Sequence, residues 1–413
     1  MRVDGTVYTA TGNTAAADVK STFADYEPYG VVPDGWWDEL RRARQACPVA
    51  HSGRSGGFWL VTRAEDVETI LRSPHKFSSA DGITIPHHPD APTQPPIELD
   101  PPLHTAFRRL LRPYFAAAAT RPYRPLVAEM ARELIARFED MGECEFLTAF
   151  ARPLPAMALG RIVLGIEDLG ELLELQQQVT VIAGQNNSDE AQGAWLALRG
   201  YVEAVISSAA RRPPCDGLVS ALAHGTVAGK LLGEEERIGT LMLLILGGLG
   251  TTSDTISTIM VRLTDDPTLE DRLRDPGWIA RGDLDELLRI DSPVQWVGRT
   301  VTTRVELGEV TLQPGERVMV HIGSANRDEA RFTDPDTLDF ARSGRRGLAY
   351  GVGPHHCIGV HLAQMVLGVA FEELLARLTG FHRDRGVPLT VRDGISRPLL
   401  ALPVTFQPRV KAG

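Results

Sequence analysis

The chain has 413 residues, 43% of them hydrophobic, which suits a large core and on length alone would suggest two or three domains. A formal net charge of −10 argues against general nucleic-acid binding. Four scattered cysteines (Cys47, Cys144, Cys215, Cys357) show no disulfide spacing, and no unbroken apolar run approaches the roughly 20 residues of a membrane span, so a soluble, cytoplasmic protein is expected.

Residues 1–25 are polar, Ala/Thr-rich and aperiodic, and read as a mobile tail. Trp36 to Ala46 reads as an amphipathic helix, Gly57 to Thr62 as a strand and Ala64 to Arg72 as a second helix. Gly82 to Pro102 carries seven prolines and the adjacent His87 and His88, so a long irregular loop is expected there. Leu103 to Tyr114 returns to helix, and the region from about 124 to 266 is mostly helical in pattern. The absence of proline between Pro214 and Pro267 leaves room for one long central helix. Short strands are expected over 301–321, a helix from Val360 to Leu378 and a last strand from Leu399 to Phe406. With no repeat and no low-complexity linker, residues 26–413 read as one helix-rich domain.

The chemistry concentrates in Ala349-Tyr350-Gly351-Val352-Gly353-Pro354-His355-His356-Cys357-Ile358-Gly359. Glycines and a proline make a tight, open loop, and Cys357 sits where a helix begins. Unpaired N–H groups and the positive helix end there favour the thiolate, the metal-binding form. A buried structural cysteine is the ordinary alternative. A zinc site of His355, His356 and Cys357 fails on count, since no second ligand cluster of the usual spacing exists.

The segment resembles the haem-binding loop of the cytochrome P450 family, aromatic-Gly-x-Gly-x-His-x-Cys-x-Gly, with every fixed position met and Tyr350 as the aromatic. Other motifs follow in the family's order. Glu286 and Arg289 match its Glu-x-x-Arg pair, three apart on one helix face, and read as structural. Ser292-Pro293-Val294, Arg299 and Ala325-Asn326-Arg327-Asp328 come after them. Asp100-Pro101-Pro102-Leu103-His104 with Arg108 is similar to another family element; four residues apart, His104 and Arg108 share a helix face. On spacing alone, Arg108 would be a surface charge beside Arg109 and Arg112. Gly247-Gly248-Leu249-Gly250-Thr251-Thr252 is similar to the oxygen-binding motif, although glycine costs roughly 0.5–1 kcal/mol in a helix interior. Close approach of another body or packing against a neighbouring helix would each account for the cluster.

The resemblance covers about Trp36 to Phe406. It implies a mainly α fold with a small β region, a helical triangular prism enclosing haem b (iron protoporphyrin IX). It implies insertion of one atom of dioxygen into an organic substrate. Cys357 takes the iron-ligand position, Thr251 the catalytic one, and Gly247, Tyr350 and Gly351 lie against the haem. His104, Arg108, Arg299 and His355 take the positions that pair the propionates. Ile85, His87, Leu243, Gly247, Val294, Trp296 and Leu399 align with substrate contacts. Most are apolar, which suggests a small or medium apolar molecule; loop histidines such as His87 and His88 are more often solvated. Electrons are expected from an acidic ferredoxin and its reductase, steered by Arg108, Arg109, Arg112, Arg342, Arg345 and Arg346. The chain departs from the family at Gly250, where an acid is usual, and at Gln364-Met365-Val366. Gly250 keeps a non-hydroxylating coupling or peroxide-driven enzyme open. A haem sensor without turnover is a further class, disfavoured by Thr251. At Gly250 the expectation is that water or the substrate supplies the missing proton donor, with Asp254 an ordinary solvated or hydrogen-bonded helix residue.

Overall fold

The longest element is a 32-residue helix, Glu234–Asp265, about 48 Å end to end. Its start is closed by Glu236, whose carboxylate accepts from the Gly233 N–H at 2.7 Å, and Glu234 to Glu236 all complement the positive end of the helix. Its middle is buried on most sides, the mark of a core helix. This helix and the stretch 147–164 are long and apolar enough on average to cross a bilayer, a property that inspection for unbroken apolar runs missed; both are mostly buried inside the fold. The computed structural model describes residues 19, 22–31, 35–87, 92–166, 168–184, 188–342 and 346–409.

Helices Pro153–Leu159, Leu169–Gly184, Asp189–Ala210 and Val360–Arg377 pack against the central helix. Together with Leu103–Phe115, Arg124–Ile135 and Asp283–Ile290 they enclose the main core. A five-stranded sheet, in the order Val49–Ser52, Phe58–Val61, Arg317–Val320, Val297–Val301, Phe77–Ser78, stands beside it. Side chains alternate across this sheet. Val318 and Val320 join one apolar cluster with Val67 and Ile70 of helix Ala64–Arg72, whereas Met319 joins another with Phe58, Leu60, Trp36 and Trp296.

Helices Trp36–Ala46 and Ala64–Arg72 match their expected bounds, and the cysteine helix, Val360–Arg377, ends within one residue of its own. Two expectations need correction. The last strand is Pro403–Pro408, because ladder pairing begins at Pro403, opposite Glu145, whereas Leu399 makes an isolated bridge with Val391. The tail expectation falls mostly outside the described residues, but Val19 and Phe23 are buried, with the Phe23 ring edge-on to Trp36 at 5.7 Å. These two apolar residues four apart in a polar stretch were the signal. The proline-rich loop does run without helix or strand through 82–87 and 92–102; His88 lies outside the described residues. Glu98 ties that loop together by accepting from the Gln94 N–H at 2.9 Å. The loop then crosses the central helix at Gly239, where a Cβ would meet the Thr93 carbonyl oxygen at 1.9 Å.

Candidate functional site

The buried Arg289–Glu286 pair organises the region behind the cysteine loop. Arg289 Nε and Nη2 donate to the two Glu286 oxygens at 2.7 and 2.8 Å, and its remaining donors reach the carbonyls of Asn326, Pro335 and Thr337. Arg342 closes on Glu286 at 3.3 Å. Asn326 donates to Ser292 Oγ at 2.7 Å and accepts the Leu348 N–H at 2.6 Å, which fixes the entrance to the loop. Gly351 and Gly353 take φ of 68° and 73°. A Cβ on Gly353 would also meet the Leu71 carbonyl oxygen at 2.6 Å, so the sequence has no alternative to glycine there. The Cys357 N–H donates to the Tyr350 carbonyl at 2.8 Å.

Cys357 forms part of the wall of a cavity of about 290 Å³. Burial pushes its thiol above the ordinary range; the Gly359 N–H and the Arg108 charge pull the other way and do not prevail. The loop's bias toward thiolate, read from sequence, is therefore real but outweighed by desolvation in the protein alone.

Four basic side chains from three elements meet at the same cavity. His104 and Arg108 come from helix Leu103–Phe115, Arg299 from strand Val297–Val301 and His355 from the loop. The His104 and His355 rings lie 4.3 Å apart, and His355 Nε2 is 3.2 Å from Ser79 Oγ. Burial holds His104 down at about 4 and His355 at about 2, so both are neutral at pH 7. Burial also lowers Arg299, to about 10, against the nearby Asp100. Asp100 is itself engaged by Ser78 Oγ and the Ser79 N–H. Among the described residues no carboxylate forms a salt bridge with Arg108 or Arg299, and both ring nitrogens of His104 are buried without a partner.

Two arginines without a carboxylate salt bridge among the described residues, an apolar enclosure and one sulfur suit a flat apolar group that carries a thiophilic metal and two carboxylates. The residues present thus fit haem.

The central helix forms the opposite wall through Leu243, Leu244, Gly247, Gly248, Thr251, Thr252 and Thr255. Thr251 Oγ1 donates to the Gly247 carbonyl at 2.8 Å. The three glycines differ in purpose. Gly247 has no heavy atom within 4 Å of a built Cβ and keeps the cavity open. Gly248 lies against Leu159, which would be 3.2 Å from such a Cβ, and so serves helix packing. Gly250 faces away, into a second small cavity.

Of the residues singled out from sequence, His104, Arg108, Leu243, Gly247, Thr251, Val294, Arg299, Tyr350, Gly351, His355 and Cys357 all line the main cavity. Ile85, His87, Trp296 and Leu399 do not. Ile85 and Trp296 point to the other face of the sheet region, among Trp36 and Phe58. His87 lies against Gly82, and Leu399 packs in the main core beside the second cavity. Ile83, Ile97, Leu244 and Val297 line the main cavity instead. Period-two alternation with Arg299 would have selected Val297 over Trp296. Spacing of four with Gly248 and Thr252 would have selected Leu244.

Comparison with known proteins agrees with this arrangement. A family model described as Cytochrome P450 matches residues 283–398. The Steroid C26-monooxygenase of Mycobacterium tuberculosis is 32% identical over 353 residues, 83% of this chain and 87% of that protein. The Linalool 8-monooxygenase of Pseudomonas putida is 30% identical over 365 residues, 84% of this chain and 89% of that one. The crystal structure of CYP101J2 superposes with a TM-score of 0.80 at 29% identity, covering 92% of this chain and 96% of that one. A mutant of P450 EryK in complex with erythromycin B gives 0.81 at 29% identity, over 91% and 97%.

Proposed function

Since the chain belongs to the cytochrome P450 family and is a monooxygenase acting on organic substrates, we propose that it binds haem b through Cys357 and oxidises a small or medium apolar molecule. The observation that carries this reading is the convergence of Cys357, the uncompensated Arg108 and Arg299, and Thr251 on one apolar cavity. When bound, haem supplies the activation of dioxygen, one atom of which enters the substrate while the other leaves as water.

The chain's own residues do the rest. Cys357 Sγ would hold the metal as the thiolate, its proton passing to solvent, since a metal charge overrides the effect of burial. Arg108, Arg299, His104 and His355 would hold the propionates. Tyr350 and Gly351 lie along the haem face of the loop. Leu243, Leu244, Val294 and Val297 exclude water and receive apolar surface. The Thr251 hydroxyl commits its proton to the Gly247 carbonyl, which leaves its oxygen lone pairs to accept from a water in the cavity. The absence of any flavin or four-cysteine iron–sulfur pattern in the sequence supports separate redox partners, a ferredoxin and its reductase, and a cytoplasmic setting. Residues 26–413 act as one domain, on which Val19 and Phe23 also pack.

The reduced carbon-monoxide complex is expected to show the red-shifted Soret band of thiolate haem, and Cys357→His to abolish it. A histidine-type band in intact protein would overturn the assignment. The lack of a side chain at Gly250 favours one second reading, a peroxide-driven or coupling enzyme. Substrate oxidation that needs peroxide and ignores dioxygen plus a surrogate electron donor would select that reading.

A further inference from the structure

The second cavity lies on the neighbouring face of the central helix. Gly250, Ser253, Asp254 and Ser257 line it from that helix, Gln176 and Thr180 from helix Leu169–Gly184, and Ser396 from the segment beyond. Its volume, about 10 Å³, matches the room that one water molecule needs. Two acceptors there are buried without a hydrogen-bond partner, Asp254 Oδ2 and Gln176 Oε1. The residues carrying them are 9% and 3% exposed. A water needs two to four polar partners: Gln176 Oε1 can take one of its protons, and Asp254 in its acid form can donate to its oxygen, which leaves its second proton free. Asp254 is thus hydrogen-bonded, through Ser396, as the sequence reading allowed, and buried rather than solvated.

Position on the helix connects this cavity to the main one. Asp254 is three residues from Thr251 and four from Gly250, so the three form one surface triangle with Cβ spacings of about 5–6 Å. Gly250 contributes no side chain to that corner of the triangle; Asp254 lines the small cavity and Thr251 the main one. No aspartate or glutamate is among the described residues that line the main cavity.

We propose that Asp254 is the proton-positioning residue of this enzyme, acting on Thr251 through a single water held behind Gly250. The inference rests on the monooxygenase reading and adds a proton source to it. Asp254 releases its proton to the water, the water passes one of its own to Thr251 Oγ1, and Thr251 releases its hydroxyl proton into the main cavity. The Asp254 carboxylate then takes a proton back from bulk water, which reaches the cavity on the side of the part-exposed Arg152, a residue of its lining that itself relays no proton. Burial raises Asp254 to about 7, against a hydrogen bond from Ser396 and the charge of Arg152, so the acid form is available at neutral pH. Arg152 is the other charged side chain lining this cavity among the described residues; Gln176, Thr180, Ser253, Ser257 and Ser396 are neutral.

The test uses the haem-loaded protein. Infrared titration is expected to show a protonated-carboxyl band that disappears as pH rises through about 7 and is missing in Asp254→Asn. With a surrogate electron donor and dioxygen, Asp254→Asn is expected to lower the ratio of product to peroxide about tenfold to a hundredfold. It should also erase the fall of that ratio above neutral pH. Gly250→Asp in the Asp254→Asn background is expected to restore coupling, since a Cβ at Gly250 has Val179 Cγ1 no nearer than 3.6 Å. Gly250→Val, which closes the gap while leaving Asp254 in place, should keep the infrared band and lose coupling; it serves if Asp254→Asn fails to fold. Unchanged coupling and pH profile in these variants, with wild type making product, would overturn the proposal alone. No product from wild type under any donor would overturn the monooxygenase reading, and the proposal with it.

Discussion

Arg299 and Arg112 carry the same charge in opposite settings. Arg299 is 3% exposed and donates to the Gly298 carbonyl at 2.7 Å, whereas Arg112 lies on an exposed helix face. A buried charge without a counter-charge is costly, so Arg299 strains the haem-free protein and should hold the haem-bound one. Arg299→Ala is expected to lower haem occupancy, read as the ratio of Soret to protein absorbance, far more than Arg112→Ala. The same change should raise the thermal midpoint of the haem-free protein, an opposite sign that a general folding defect would not give. Equal occupancy in the two variants would remove Arg299 from the cradle. Arg108 was legible in the sequence as more than a surface charge only through the resemblance of its segment to a family element; spacing alone left it a surface charge beside Arg109 and Arg112. The sequence did not disclose the state of Cys357, because the surrounding burial that raises it comes from segments far apart in the chain.

The central helix and the proline-rich loop depend on each other at one point. At Gly239 the Thr93 carbonyl oxygen occupies the place of a side chain, and backbone cannot rotate away as a side chain can. Gly239→Ala is therefore expected to push aside the loop that brings Pro96 and Ile97 to the cavity. Substrate affinity, followed by the spin-state change of the haem, should fall at least about tenfold, equal to 1.4 kcal/mol. The carbon-monoxide band should remain. Wild-type affinity in that variant would show that the helix does not position the loop. The absence of proline bracketed this helix without giving its start, and the helical pattern of the region from about 124 to 266 did not separate the helices within it. Neither feature could locate the loop's path, which is set by one backbone-to-backbone contact between distant residues. The run Leu399 to Leu402 misled for a related reason: an apolar run without alternation does not reveal whether a strand has begun.

At the scale of the whole molecule, a net charge of −10 coexists with exposed arginines at several of the positions expected to steer an acidic partner. Arg109 and Arg112 are exposed, and the Arg346 side chain is 92% exposed. Arg342 is withdrawn by its pairing with Glu286, and Arg345 lies outside the described residues. An acidic ferredoxin approaching the remaining three is expected to transfer electrons more slowly as salt rises toward 0.15 M, where the Debye length is about 8 Å. A rate indifferent to salt would argue against charge steering. The substrate walls were the least legible part, because they are assembled from segments around residues 83, 97, 244 and 297 whose side-chain directions are fixed only by packing. The cradle of basic groups also bears on the life of the polypeptide in a cell. Newly folded chains carry Arg108 and Arg299 uncompensated, so haem capture acts as the last step of maturation and adds stability by mass action. Chains that miss it populate open forms more often and meet proteases there. The amount of this protein that a cell keeps is therefore expected to follow its haem supply, which abundance measured under haem limitation checks.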